Sequence, residues 1–176
     1  MRGMVFTELL ELVEEKFGYD TLDDVIDGAK LENDGAYTAT GSYPFEELVR
    51  IVVSLSEHTN IPVDTLLEVY GEHLFLKLLR VVPEFDKQSD ILKFIESVEL
   101  FIHVQVKKLY SNVELPTFEI VSSSENELNF YYISNKNIPQ FAKGLMIGAS
   151  KHFGQEIEIA YKSQADGKVL FNVKKV

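Results

Sequence analysis

Apolar residues recur at helical spacing through the first two-thirds of this chain and then switch to strand-like alternation near Pro116. Phe6, Leu9, Leu10, Val13 and Phe17 share one helical face, and Gly18 supplies a stop. Thr21, with Asp24 three residues on, predicts a capping box that opens a short second helix whose apolar residues are Val25 and Ile26. Gly28 and Asn33-Asp34-Gly35 end it in a loop. Pro44 suits the first turn of a third helix carrying Leu48, Ile51, Val52 and Leu55. Pro62 plays the same part for a longer fourth, burying Val63, Leu66, Leu67, Tyr70, Leu74 and Leu78. Pro83 breaks the pattern, and Ser89 with Asp90 opens a fifth helix through Leu92, Ile95, Val98 and Ile102, with His103 near its end.

Beyond Pro116, Thr117 to Ser122 and Glu127 to Ser134 are rich in β-branched and aromatic residues, and the polar stretch Ser123 to Asn126 between them predicts a hairpin. A helix from about Pro139 to Phe153 follows, marked by Phe141, Leu145 and Met146. Two further strands, Gln155 to Lys162 and Lys168 to Lys174, flank a turn at Ala165-Asp166-Gly167. Helices and strands that segregate in this way predict an α+β fold: a helical N-terminal half packed on an antiparallel β-sheet C-terminal half with an inserted helix. No repeat, low-complexity segment or interdomain linker interrupts it, and one globular domain is expected.

Composition narrows the function. The formal net charge of -11 opposes the counterion release that drives nucleic-acid binding and repels an anionic membrane surface. Neither partner is expected. The start is amphipathic, without a signal peptide's apolar core, and no run is long enough to span a bilayer, so a cytoplasmic protein is expected. Cysteine is absent, which removes thiolate metal sites, iron-sulfur clusters, covalent haem attachment and cysteine nucleophiles. The four histidines, His58, His73, His103 and His152, are scattered and form no H-E-x-x-H. Neither G-x-S-x-G, a P-loop nor G-x-G-x-x-G occurs, so an enzyme is not expected.

Three groups of residues carry candidate chemistry. His103 offers an imidazole that can ligate a metal, although Glu99, Leu100, Val106 and Lys107 give it a mixed helical face that equally suits a surface histidine. Tyr132, Ser134 and Lys136 alternate, so on a strand they would form a one-sided row about 13 Å long that could grip carboxylates or simply be a solvated face. Phe141, Gly144, Leu145 and Gly148 share a helical face whose bare glycines would admit a flat ligand or a closely packed helix.

The order and spacing of Met1-Arg2-Gly3, Gly35-Ala36-Tyr37-Thr38, Tyr43-Pro44, His103, Val106, Lys108-Leu109-Tyr110, Pro116 and Phe118 resemble the haem-nitric oxide/oxygen binding (H-NOX) family. The family's Tyr-x-Ser-x-Arg corresponds to Tyr132-Ile133-Ser134-Asn135-Lys136, with lysine at the last position. The resemblance implies a non-covalent haem b between a helical subdomain of about residues 1–62 and a clasping remainder of about 63–176. It makes His103 the proximal iron ligand, Tyr132, Ser134 and Lys136 the propionate grip, and Pro116 the residue pressing on the porphyrin. Lysine in place of arginine exchanges a planar two-pronged donor for a point charge.

Members that hold dioxygen place a tyrosine where this chain has Phe141, and the neighbouring distal positions implied, Val5, Leu9, Leu74 and Leu78, are all apolar. Bound dioxygen gains roughly 1 to 3 kcal/mol from such a donor in a dry pocket, and nitric oxide needs none. The resemblance therefore implies a nitric oxide sensor that signals by releasing His103 to a separate histidine kinase or cyclic-dinucleotide enzyme. A dioxygen or haem-redox sensor using the same pocket, and a haem-free protein-interaction domain, remain open at this level.

Overall fold

A computed structural model of the chain describes residues 1–81, 89–109 and 114–176. Pro83, expected to break the fourth helix, and Tyr110 of the Lys-Leu-Tyr motif lie outside the described residues. The chain divides into two compact units, Met1–Tyr70 and Gly71–Val176. The division falls inside a helix, about eight residues past the subdomain boundary near Pro62 that the resemblance implies.

The first unit is helical: α1 (Gly3–Phe17), α2 (Tyr19–Ala29), α3 (Phe45–Thr59) and the start of α4 (Val63–Val81). Its core gathers Phe6, Leu9, Val13, Val25, Leu48, Ile51 and Tyr70. Gly18 stops α1 with φ at +86° and leads straight into α2. Thr21 therefore lies inside α2, and its hydroxyl bonds back to the Phe17 carbonyl at 3.0 Å, which overturns the expected capping box. Pro44 is the residue before α3 rather than part of its first turn. The motif residues at the chain's start knit into one corner. Gly3 N–H donates to Gly41, Met4 N–H to Ala39 and Tyr43 N–H to Met1, while the Tyr43 hydroxyl accepts the Thr38 N–H at 2.9 Å. A Cβ on Gly3 would lie 1.8 Å from the Thr38 carbonyl oxygen, so only glycine fits there.

The second unit carries the rest of α4, then α5 (Ile91–Ser97), a π-helical turn (Val98–Ile102), α6 (His103–Leu109), β1 (Thr117–Ser123), β2 (Glu127–Ile133), α7 (Pro139–Phe153), β3 (Ile157–Ser163) and β4 (Val169–Lys175). The strands form one antiparallel sheet in the order β1-β2-β4-β3. One face buries Leu128, Phe130, Tyr132, Val169, Phe171 and Val173 against Ile91, Leu92, Phe94 and Ile95 of α5 and Ala142, Met146 and Ala149 of α7. The other face is polar, with Asn172 bonded to Asn129 at 2.8 Å and Lys168 to Glu119 at 2.9 Å. That division is usual for an antiparallel sheet wetted on one side. The expected α+β architecture is thus observed. The single fifth helix is not: the π turn interrupts it just before His103, whose N–H bonds to the Val98 carbonyl five residues back. No helix among the described residues is long and apolar enough to cross a membrane.

Candidate functional site

His103 opens α6, and its residue is 7% exposed, so it is a buried rather than a surface histidine. Its Nδ1 lies 3.2 Å from the Glu99 Oε2, one turn earlier on the π segment. The Phe118 ring stands edge-on to the imidazole at 5.7 Å. Burial pushes the His103 pKa down, and this outweighs the upward pull of Glu99, so the neutral ring dominates. With Nδ1 engaged by an acceptor, the proton sits on that nitrogen and Nε2 keeps the lone pair a metal requires. Val106, one turn on, packs into the core, while Leu100, Phe101 and Val104 are exposed.

Tyr132 ends the buried row of β2, and burial raises its phenol pKa against the hydrogen bonds it makes to Ser134 and the Ile138 backbone. Ser134 and Lys136 do not continue that row. The strand stops at Ile133, where the Ser134 hydroxyl accepts the Lys136 N–H at 3.2 Å and bends the chain away from the sheet. The expected 13 Å line is therefore replaced by a compact turn. Lys136 donates to the Glu114 carboxylate at 2.8 Å, and Asn135 donates to the same oxygen at 3.3 Å. Those bonds, Lys136 first, hold the Glu114 carboxyl below its usual range. Glu114, 22 residues from Lys136, had no signal in the sequence. Pro116 lies half-buried immediately before β1.

On α7 the bare face is filled by a helix. A Cβ on Gly71 of α4 would come within 3.0 Å of the Leu145 N and 3.1 Å of the Gly144 Cα, and one on Gly148 within 2.7 Å of the Phe75 Cβ. Gly144 and Gly148, expected to line a cofactor, are thus positions of close α4–α7 packing. Leu74 is buried, and Leu78 and Leu145 are partly buried against the same core. Phe141, at the first turn of α7, is half-buried. Val5 and Leu9 lie on α1 of the first unit, Leu9 fully buried and the Val5 carbonyl bonded by the Tyr70 hydroxyl. No three His, Asp or Glu side chains gather as a metal site among the described residues.

The donor set fits haem on these observations. One neutral, oriented imidazole could ligate iron, and the Asn135 amide and Lys136 ammonium after β2 already hold a carboxylate, the group a propionate presents.

The family model for haem-NO-binding domains matches residues 2–161. An H-NOX protein from K. algicida in the Fe(II) unliganded state is 36% identical, with a TM-score of 0.94 over 100% of this chain and 97% of that one. One from Shewanella woodyi in the Fe(II)CO state, bound to IWP-051, is also 36% identical, with a TM-score of 0.85 over 100% and 95%. One from S. oneidensis in the Fe(II)NO state shares 24% identity and a TM-score of 0.90 over 100% and 99%, a likeness of fold. Among curated protein sequences, no relative matches. The length of the family match and the identity to the K. algicida protein agree with the buried histidine and the carboxylate-holding turn: this chain belongs to the haem-NO-binding (H-NOX) family.

Proposed function

We propose that this domain is a nitric oxide sensor with haem b as its cofactor. Membership of the family carries haem-based gas sensing and signal transduction as the general role; the choice of gas is inferred from the side chains. His103 Nε2 is the iron ligand. Tyr132, Ser134 and Lys136 anchor the propionates, with Glu114 the carboxylate that Lys136 gives up. Pro116, fixed at the head of β1, bears on the porphyrin face. Haem held there would supply a ferrous iron able to bind a diatomic gas.

The observation that carries the choice of gas is Phe141. It stands where dioxygen-holding members have a tyrosine, and Val5, Leu9, Leu74, Leu78 and Leu145 offer only carbon. Without a donor, dioxygen loses the stabilisation of roughly 1 to 3 kcal/mol that keeps it bound, whereas nitric oxide keeps its affinity. His103 then couples gas to conformation, because a gas shifts an equilibrium only by preferring one state, here the one in which His103 is released. The receiver is a separate histidine kinase or cyclic-dinucleotide enzyme.

Absorption spectra of the ferrous, nitric oxide-treated and air-exposed protein, wild type beside Phe141→Tyr, test this. The wild type should bind nitric oxide and form no lasting dioxygen complex, and Phe141→Tyr should gain one. A stable dioxygen complex of the wild type would sink the distal assignment. Absence of a Soret band after haem reconstitution would sink the haem reading and favour a protein-interaction domain.

A further inference from the structure

We infer that Glu99 is a positioning residue that sets the strength of the His103 bond to iron, an inference that rests on the haem reading above. The geometry is a closed triangle. One Glu99 oxygen, Oε2, lies 3.2 Å from the His103 Nδ1 and accepts the Phe118 N–H at 3.1 Å. The Phe118 ring, seated against Phe130 at 4.7 Å, stands edge-on to the imidazole. The π turn, the head of α6 and the start of β1 are therefore joined through one carboxylate oxygen and one ring.

Three consequences follow from this arrangement. The acceptor at Nδ1 fixes the tautomer, so that Nε2 always presents its lone pair. The contacts at Nδ1 and at the ring edge fix the imidazole plane. The third consequence is electronic: an ionised carboxylate accepts a stronger hydrogen bond than a neutral carbonyl and makes the ring a more basic ligand. A more basic ligand holds iron more tightly, favours the ferric state and resists release by nitric oxide. The same oxygen ties His103 to β1 two residues beyond Pro116.

The test uses haem-loaded wild type, Glu99→Gln and Glu99→Leu. Its readouts are the Fe(II)–histidine stretching band, the ferric/ferrous midpoint and the fraction of protein that keeps its histidine bond at saturating nitric oxide. Glu99→Gln keeps the size and the acceptor for Phe118 but loses the charge. Glu99→Leu loses both. The stretching frequency should fall in the order wild type, Gln, Leu, the midpoint should rise in the same order, and Leu should shift the retained-to-released ratio about tenfold toward release, the scale of lost outer-shell partners. Should Glu99→Leu not fold, Glu99→Gln carries the test alone. Wild type showing a histidine band that His103→Gly abolishes, with both Glu99 variants matching wild type in all three readouts, would overturn the inference and leave the sensor reading intact. Wild type that takes up no haem would overturn both.

Discussion

Gly148→Ala separates two readings of the α7 glycines. In an ordinary helix interior this change stabilises by about 1 kcal/mol, because alanine has less backbone freedom to lose. Here the new Cβ would stand 2.7 Å from the Phe75 Cβ and 2.9 Å from the Glu72 carbonyl oxygen. Neither atom can rotate away, since both are fixed to the α4 backbone. Comfortable carbon contacts begin at about 3.5 Å, so α4 and α7 must part by most of an ångström. A gap of about 0.5–1 Å forfeits about a quarter to a half of each contact's attraction. Phe75, 2% exposed and edge-on to Phe94 at 5.8 Å, would lose part of its packing. With both neighbours fixed to the backbone, overpacking falls in the upper part of its usual range, about 2–3 kcal/mol, and helix propensity offsets about 1, leaving a net loss of about 1–2 kcal/mol. Urea unfolding of the haem-free protein, followed by far-ultraviolet circular dichroism, should show a lower midpoint at unchanged slope, with a thermal midpoint reduced by about 3–6 °C. An unchanged or raised midpoint would refute the close-packing argument and return Gly148 to the ligand-lining role.

Two further outcomes are expected. Lys136→Arg should slow haem transfer to an apo-globin acceptor by restoring a two-pronged donor, and Glu114→Gln should slow it by releasing Lys136 from its carboxylate; equal or faster transfer in both would show that Lys136 does not touch a propionate. Asp90→Ala should cost about 1–2 kcal/mol, because its carboxylate caps α5 at the Leu92 and Lys93 N–H groups and pairs with Lys175. Burial pushes the Asp90 pKa up, but Lys175 and the two N–H groups outweigh it and leave the value depressed. A depressed carboxyl stabilises the fold above its unfolded pKa of about 4 and loses that contribution as pH falls through the folded value. Below about pH 4, acid unfolding curves of wild type and Asp90→Ala should therefore converge.

Much of the fold was legible because its periodicities are unambiguous. The helix Pro139–Phe153 stands at its expected bounds, and the strands differ from expectation by a residue or two at their ends. What escaped is local. Leu92, Ile95, Val98 and Ile102 space equally well on an unbroken α-helix and on one with a single wide turn, so the π segment left no trace in the pattern. Thr21 has the chemistry of a cap, but the positive φ of Gly18 lets α2 begin before it. Tyr132, Ser134 and Lys136 alternate as a strand would, yet the Ser134 hydroxyl gives the Lys136 N–H a partner outside the sheet. In the site, His103 was identifiable as a candidate, but its burial was not, because the residues one turn away are mixed. The Glu99 pairing could have been suspected from its i, i+4 spacing. The Glu114 pairing depends on tertiary proximity alone.

The strand order β1-β2-β4-β3 has a consequence for synthesis and folding. β1 and β2 can pair as soon as both have emerged, but β2 keeps an open edge until the chain has passed through α7 and β3 to reach β4, which pairs Phe130 with Phe171 and Leu128 with Val173. During that interval an apolar strip of Leu128, Phe130 and Tyr132 borders unpaired backbone, the combination that recruits a second nascent chain. Non-local closure of this kind is slow. Yield from the ribosome should therefore depend on how quickly β4 arrives, and slowing translation between α7 and β4 should lower the soluble fraction without altering the stability of molecules already folded.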